Sequence, residues 1–344
     1  MMKNIRYLLL LISIPCVSQW TKVDIPTNAS FRALKSNNKE IWASGTQGTV
    51  GHSIDAGNTW QFQQIPQADN LDFRDLIIIN DKEVVLMSAG ASEEGKARLF
   101  KTVDGGKSWT DLFQMRQAGY FFDCLQWDDK NASGWLLSDP IKQKLTLFSF
   151  SNDTFTRIDS LTAPKLKLNE AFFAASGSSM VQLSDKIIFV GGGADSINIH
   201  TYQYKKHVWK SLPLPIKSGE AQGYFSIGAK NNKELWAVGG DYRKLDELAI
   251  PIITSRDGGN HWQILEGSPK FYMEKVIWAN PYWIISGPSQ SAAYDEKSKQ
   301  WRSLGRSSYH NIIQVGDRIW GIGAKGQLGF ISLSSINNLF LSKE

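Results

Sequence analysis

Three carboxylates of this sequence, Asp139 in SDP, Glu170 in NEAFF and Glu220 in SGE, are candidates for acid–base work on a glycosidic bond. That chemistry needs two carboxyl groups, about 5–5.5 Å apart for retention of configuration or roughly 6.5–9.5 Å apart for inversion. Glu170 has a quieter reading too, as a cap or a hydrogen-bond acceptor between neighbouring elements. Five further residues are candidates for holding a ligand: Arg32 in FRAL, Arg74 in DFRD, Asp241 and Tyr242 in VGGDY, and His310 in HNIIQ. A guanidinium grips carboxylate or phosphate through two parallel hydrogen bonds. Arg74 is equally suited to an ion pair with its neighbours Asp72 or Asp75. Tyr242 reads either as a packed aromatic with a satisfied hydroxyl or as a nucleophile. These residues are far apart in the chain, so only a fold that gathers remote segments would bring them to one surface.

Other chemistries lack their residues. The five histidines are isolated, with no HExxH and no Cys/His pairing, so no metal site is expected. GGGAD, Gly191 to Asp195, lies between two apolar strand-like segments rather than between a strand and a helix, so it does not predict a dinucleotide site. No cofactor is expected. The formal charge of +5 is spread without a basic run, which argues against nucleic acid as a partner. Cys124, inside FFDCLQW, reads as a small buried hydrophobe.

The elements that would position the candidates come in repeats. A short apolar strand ending in small residues occurs seven times: IWASG, LMSAG, WLLSD, IFVGG, LWAVG, WIISG and IWGIG. The copies end at Gly45, Gly90, Asp139, Gly192, Gly239, Gly287 and Gly323, at intervals of 45, 49, 53, 47, 48 and 36 residues. That interval suits a four-stranded propeller blade. An inner strand precedes each copy, beginning in turn near Phe31, Phe73, Phe121, Ala171, Tyr224, Lys275 and His310. A second spelling, S/T-x-D-x-G-x-x-W, follows three of the copies. It occupies Ser53, Asp55, Gly57 and Trp60, then Thr102, Asp104, Gly106 and Trp109, then Ser255, Asp257, Gly259 and Trp262. Asp bonds nearby amides and Gly takes positive φ, so D-x-G is a tight turn, and the Trp opens the next strand. These twelve residues are read as structural.

The chain ends complete the count. Lys3 and Arg6 precede an apolar run from Tyr7 to Ile14, with small residues around Ser18, the layout of a secretory signal peptide over 1–18. Cys16 offers a lipid-anchored alternative. The seventh blade lacks a fourth strand after QLGFISL, whereas QWTKVD, from Gln19, has the fourth-strand spelling. Pairing of the two would close a ring over 19–333 and protect its edges, with Trp20 in the place held elsewhere by Trp60, Trp109 and Trp262. Residues 334–344 remain as a C-terminal tail. The predicted fold is all-β, a seven-bladed propeller.

The turns resemble the Asp-boxes, or BNR repeats, of sialidases and sortilin-type domains. The fuller wording IWASGTQGTVGHSIDAGNTW, with DFRD, SDP, NEAFFAASG, SGE and VGGDY, resembles secreted bacterial relatives of the photosystem II stability and assembly factor family. The resemblance spans essentially the whole chain after the leader. It implies a seven-bladed propeller and, from the photosynthetic members, a non-enzymatic factor that holds a membrane-protein subunit. The arginine-rich patch of those members has no counterpart in a concentrated arginine segment here. Sialidases combine three arginines, an acid Asp and a Tyr–Glu pair. Arg32 and Arg74 match two of the arginines, but Arg256 lies in a turn, Arg302 follows a strand Trp, and no Tyr–Glu motif stands out. The expectation is a secreted or periplasmic monomer, without a transmembrane segment after the leader, that binds an envelope protein or extracellular glycan. The alternative is a glycoside hydrolase using paired carboxylates at the channel mouth.

Overall fold

The computed structural model describes residues 20–158 and 161–341. The leader, Cys16 and Gln19 lie outside the described residues. Seven four-stranded antiparallel sheets stand in a ring. Their inner strands are Phe31–Asn37, Asp72–Ile78, Phe122–Asp128, Met180–Gln182, Gln222–Ala229, Lys275–Ala279 and Asn311–Val315. Seven apolar clusters hold the ring, one at each boundary between blades. The apolar residues of the second strands face these boundaries, which is why those strands read as near-continuous hydrophobic runs.

The Asp-box turns are part of this cement. In the first, Gly57 N donates to Ser53 Oγ (2.9 Å), while Thr59 N and Thr59 Oγ1 donate to Asp55 (2.8 and 2.7 Å). The aspartate therefore reaches four residues on, further than a simple Asx turn. The same bonds recur at Asp104 and Asp257. The glycines share φ near 86°, at +86°, +85° and +86°. A Cβ on them would collide with Trp320, Trp42 and Ile188, each on the second strand of the preceding blade. Glycine is needed for the turn and for the close approach of the neighbouring blade.

Ring closure follows the sequence expectation. Thr21–Val23 pairs antiparallel with Leu328–Ser332, with Thr21 opposite Phe330 and Val23 opposite Leu328. Trp20 is buried, 7% exposed, in the cluster between blades six and seven, and its Nε1 donates to Ser291 Oγ of blade six at 3.0 Å. Trp60, Trp109 and Trp262 likewise pack at the boundary with the preceding blade.

Two segments differ from expectation. The chain after Ser332 is a helix, Leu333–Leu341, rather than a tail. Ile336 is buried with Trp20, Phe340 stacks on Tyr282 (centroids 4.9 Å apart), and Tyr282 Oη donates to Asn337 Oδ1 (2.5 Å). In blade four, AFFAA is not the inner strand. Only Ala171 keeps a bridge, to Gly192, and the inner strand begins at Met180. Residues 173–178 turn instead across the channel. Among the described residues no helix is long and apolar enough to cross a membrane.

Candidate functional site

Four inner strands carry a bulge at the same height. The register shifts between Phe31 and Ala33, Phe73 and Asp75, Phe122 and Cys124, and Tyr224 and Ser226. The extra residues are Arg32, Arg74, Asp123 and Phe225. A bulge re-aims its extra side chain, and here four blades do so at one end of the channel. Glu274 and His310 occupy the equivalent place in blades six and seven, one residue before their strands begin.

The result is a cavity of about 540 Å3 at the channel mouth. Its polar wall is Arg32, Arg74, Asp139, Glu274 and His310, and its aromatic wall is Phe121, Phe172, Phe173, Phe225, Tyr242 and Tyr272. Leu245 and Tyr242 form an exposed rim, at 40% and 44%. The floor is the segment that left blade four. Four consecutive carbonyls, those of Ala174, Ala175, Ser176 and Gly177, accept from Arg74 Nη1 (3.5 Å), Arg32 Nη1 (3.3 Å), Asn311 Nδ2 (2.8 Å) and Lys35 Nζ (3.4 Å). Ser176 Oγ donates to Glu274 O (2.6 Å). A backbone that gives up ladder bonds needs other partners, and side chains of blades one, two and seven supply them. Further along the same inner strands, Lys35 pairs with buried Asp75 at 3.3 Å. Burial, then Lys35, brings the amine of Lys275 down to about 7, and burial pushes the free thiol of Cys124 up to about 12. Cys124 packs in the cluster between blades three and four, as a small hydrophobe would.

Most polar groups of the mouth are braced against one another. Glu274 accepts from Arg32 Nη1 (3.1 Å) and Tyr272 Oη (3.1 Å) and bonds His310 Nδ1. Burial raises its carboxyl, but His310 and Arg32 outweigh that and hold it at about 2. Arg74 Nε donates to Asp72 Oδ2 at 2.7 Å, one of the two ion pairs foreseen for it, while Asp75 pairs with Lys35. A Tyr–Glu pair therefore exists in space although no motif announces it. Tyr272 is nevertheless a reluctant acid, raised by burial and by the charge of Glu274. A carboxylate near 2 is correspondingly a weak base for removing its proton.

The structure gathers Arg32, Arg74, Asp139, Tyr242 and His310 of the sequence candidates and places three others elsewhere. Glu170 accepts from His200 Nε2 (2.8 Å), Asn198 Nδ2 (3.2 Å) and Lys167 N (2.8 Å), tying down the connection into blade four. Glu220 is 77% exposed and pairs with Arg243 at 3.1 Å on the outer surface. Asp241 accepts from Arg243 N (2.9 Å) and Gln222 Nε2 (3.2 Å) and fixes the turn that presents Tyr242. None of the three lines the cavity. Among the described residues no group of three or more His, Cys, Asp or Glu is placed to hold a metal.

Asp139 lines the cavity and, among the described residues, accepts only the amide of Phe172 at 3.2 Å, and burial pushes its carboxyl up to about 6. Its folded value lies above its ordinary 3.8, so protonation favours the fold at low pH and that benefit disappears as pH rises through about 6. Asp139→Asn is therefore expected to raise the melting temperature at pH 8, by an amount equivalent to roughly 1–3 kcal/mol, and to change little at pH 4. Differential scanning fluorimetry across this range checks it. A loss of stability at pH 8 would mean that the carboxylate is compensated.

Such a molecule is a ring-closed, seven-bladed Asp-box propeller with a plugged, aromatic-walled mouth. No family model matches the chain, and no curated protein does either. Solved structures do. YCF48 from Cyanidioschyzon merolae superposes with a TM-score of 0.67 at 14% identity, over 92% of this chain and 99% of that one. A structure described as YCF48 bound to D1 peptide gives 0.64 at 14% identity, over 91% and 97%. The WD40 repeats of RRP9 give 0.61 at 11% identity, over 92% and 98%. At these identities the likeness establishes the fold.

Proposed function

We propose that this chain is a non-catalytic binding propeller of the cell envelope, an assembly or stability factor whose channel mouth receives a segment of a partner protein. The observation that carries this reading is the mouth itself, a cavity of about 540 Å3 with aromatic walls and an exposed apolar rim at Tyr242 and Leu245. Pockets of this size and composition hold inserted groups. Arg32, His310 and Arg74 have partners within the protein, so they shape the wall and lend polar edges rather than drive a reaction. The YCF48 structure described as bound to D1 peptide supports a peptide as the kind of occupant. Export follows from the leader over 1–18, cut after Ser18, with lipidation at Cys16 as the alternative route to the envelope. The propeller domain is then 19–333.

Hydrolysis is the weaker reading. Glu170 and Glu220 are engaged away from the mouth, and Glu274 is held at about 2 between Arg32 and His310. Asp139 is left as an acid; its neighbour Asp123 is 0% exposed and raised by burial, so among the described residues no second carboxylate is open to the cavity and free to act as base or nucleophile.

The test is affinity capture from an envelope extract with the mature chain and with its Tyr242→Ala/Leu245→Ala double variant. The wild type is expected to retain a defined protein partner, and the variant at least tenfold less of it. Recovery of no partner by the wild type, or equal recovery by both, would overturn the reading. Retention of a glycan alone would move the partner class from protein to polysaccharide.

A further inference from the structure

Asp123 is the extra residue of the blade-three bulge, in the position that in blades one and two aims Arg32 and Arg74 at the mouth. It is 0% exposed, and neither carboxylate oxygen has a hydrogen-bond partner among the described residues. Buried carboxylates are ordinarily paired or hydrogen-bonded, and an orphaned one calls for an explanation. Asp139, whose charge acts on Asp123, lines the cavity and, among the described residues, accepts only the Phe172 amide. The cation acting on Asp123 is Arg74, whose Nε is committed to Asp72 and whose Nη1 reaches the Ala174 carbonyl. Across the cavity, Arg32 and His310 are committed to Glu274. The blade-three wall thus holds two carboxyl groups with no cation of their own, beside the aromatic rings of Phe121, Phe172 and Phe173. Carboxylate and aromatic faces together are what an ammonium group seeks, through a charge-assisted hydrogen bond and cation–π attraction.

We propose that the blade-three wall of the mouth is a subsite for an organic ammonium group, with Asp139 as its contact carboxylate and Asp123 as a second acid behind it. A lysine side chain and an amino sugar share this chemistry. The inference rests on the mouth being the binding site, and it names what that site selects. Binding is written with its proton: the ammonium pairs with the Asp139 carboxylate, and where Asp139 carries a proton, that proton leaves to solvent. Burial pushes Asp139 up to about 6, so the affinity falls about tenfold for each pH unit below 6. The charged groups of the rest of the mouth, Arg74 with Asp72 and Glu274 with Arg32 and His310, are already in ion pairs, and Tyr272 donates to Glu274, which leaves the Tyr242 hydroxyl at the rim.

The test uses the purified protein and three probes: Nα-acetyl-lysine amide, glucosamine and Nα-acetyl-glutamate amide. Binding is followed at pH 5 and pH 7 through the side-chain carboxyl carbon resonances of the aspartates. One cationic probe or both should bind at millimolar concentration at pH 7 and move the Asp139 resonance. That binding should weaken about tenfold at pH 5, and Asp139→Asn should lose it while remaining folded, with a melting temperature at pH 7 no lower than that of the wild type. The better of the two cations identifies the source. Equal or tighter binding of the glutamate probe would overturn the proposal. So would cation binding that is indifferent to Asp139→Asn, or no binding of either cation. If Asp139→Asn does not fold, the wild-type pH dependence and the resonance that moves decide alone. Capture of a partner without ammonium preference would remove this inference and leave the binding reading intact. Ammonium binding without any captured partner would do the reverse.

Discussion

Trp20→Ala is expected to cost about 3–5 kcal/mol of stability, the usual loss when a large buried aromatic is truncated and leaves a cavity. Trp20 fills the boundary between blades six and seven, touches Tyr309 with ring centroids 4.3 Å apart, and bonds Ser291 Oγ. The strand that follows it is only three residues long, so the indole is the main anchor of the closing segment. Removing residues 20–24 should cost more, because it also uncovers the edge of Leu328–Ser332. The chain would then melt lower and associate through that edge. Equilibrium denaturation in urea with size-exclusion chromatography measures both effects. An unchanged midpoint and a monomeric elution profile would show that the helix Leu333–Leu341 holds the last blade without the N-terminal strand.

Glu274→Gln is expected to cost about 3–5 kcal/mol near neutral pH, because breaking a buried ion pair leaves its partner charge uncompensated. Three side chains converge on this carboxylate: Arg32 from blade one, His310 from blade seven and Tyr272 from blade six. The loss would loosen the joint where the ring closes. Its pH dependence is specific. The folded carboxyl sits at about 2, below its ordinary 4.5, so its contribution is fully present above about 4.5 and disappears as pH falls through about 2. The gap between wild type and variant should hold steady from pH 5 to 8 and close below pH 3. A gap that stays constant down to pH 2 would show that shape, not charge, is what Glu274 provides.

The architecture was legible because its signals are local. An Asp, a Gly and a Trp at fixed spacing specify one turn, and QWTKVD could be matched to a missing strand without seeing either in space. Arg32, Arg74 and His310 were legible for a related reason. Arg32 and Arg74 follow the aromatic at the opening of an inner strand, the position later seen to bulge, and His310 directly precedes the strand Asn311–Val315. AFFAA misled because two aromatics between alanines look like strand, while the side chains that hold the carbonyls after it come from Arg32, Arg74, Asn311 and Lys35, far away in sequence. Glu170 took the quieter of its two readings, as a hydrogen-bond acceptor, although nothing near it announces His200 as its partner. Tyr272 and Glu274 stand two residues apart with no motif, and only the convergence of blades six, seven and one gives the pair its partners. Phe173, Phe225 and Leu245 read as ordinary apolar residues until the ring sets them around one cavity.

The most direct test of the mouth as the binding surface is photo-crosslinking in intact cells from a reactive amino acid at Leu245. The control is the same group at Val103, a more accessible residue, 61% exposed against 40% for Leu245, on an Asp-box turn at the rim of blade two. The expected result is a discrete protein adduct from position 245 and none from position 103. An adduct from 103 alone, or equal adducts from both, would contradict a channel-mouth site and place the partner on the outer rim of the ring.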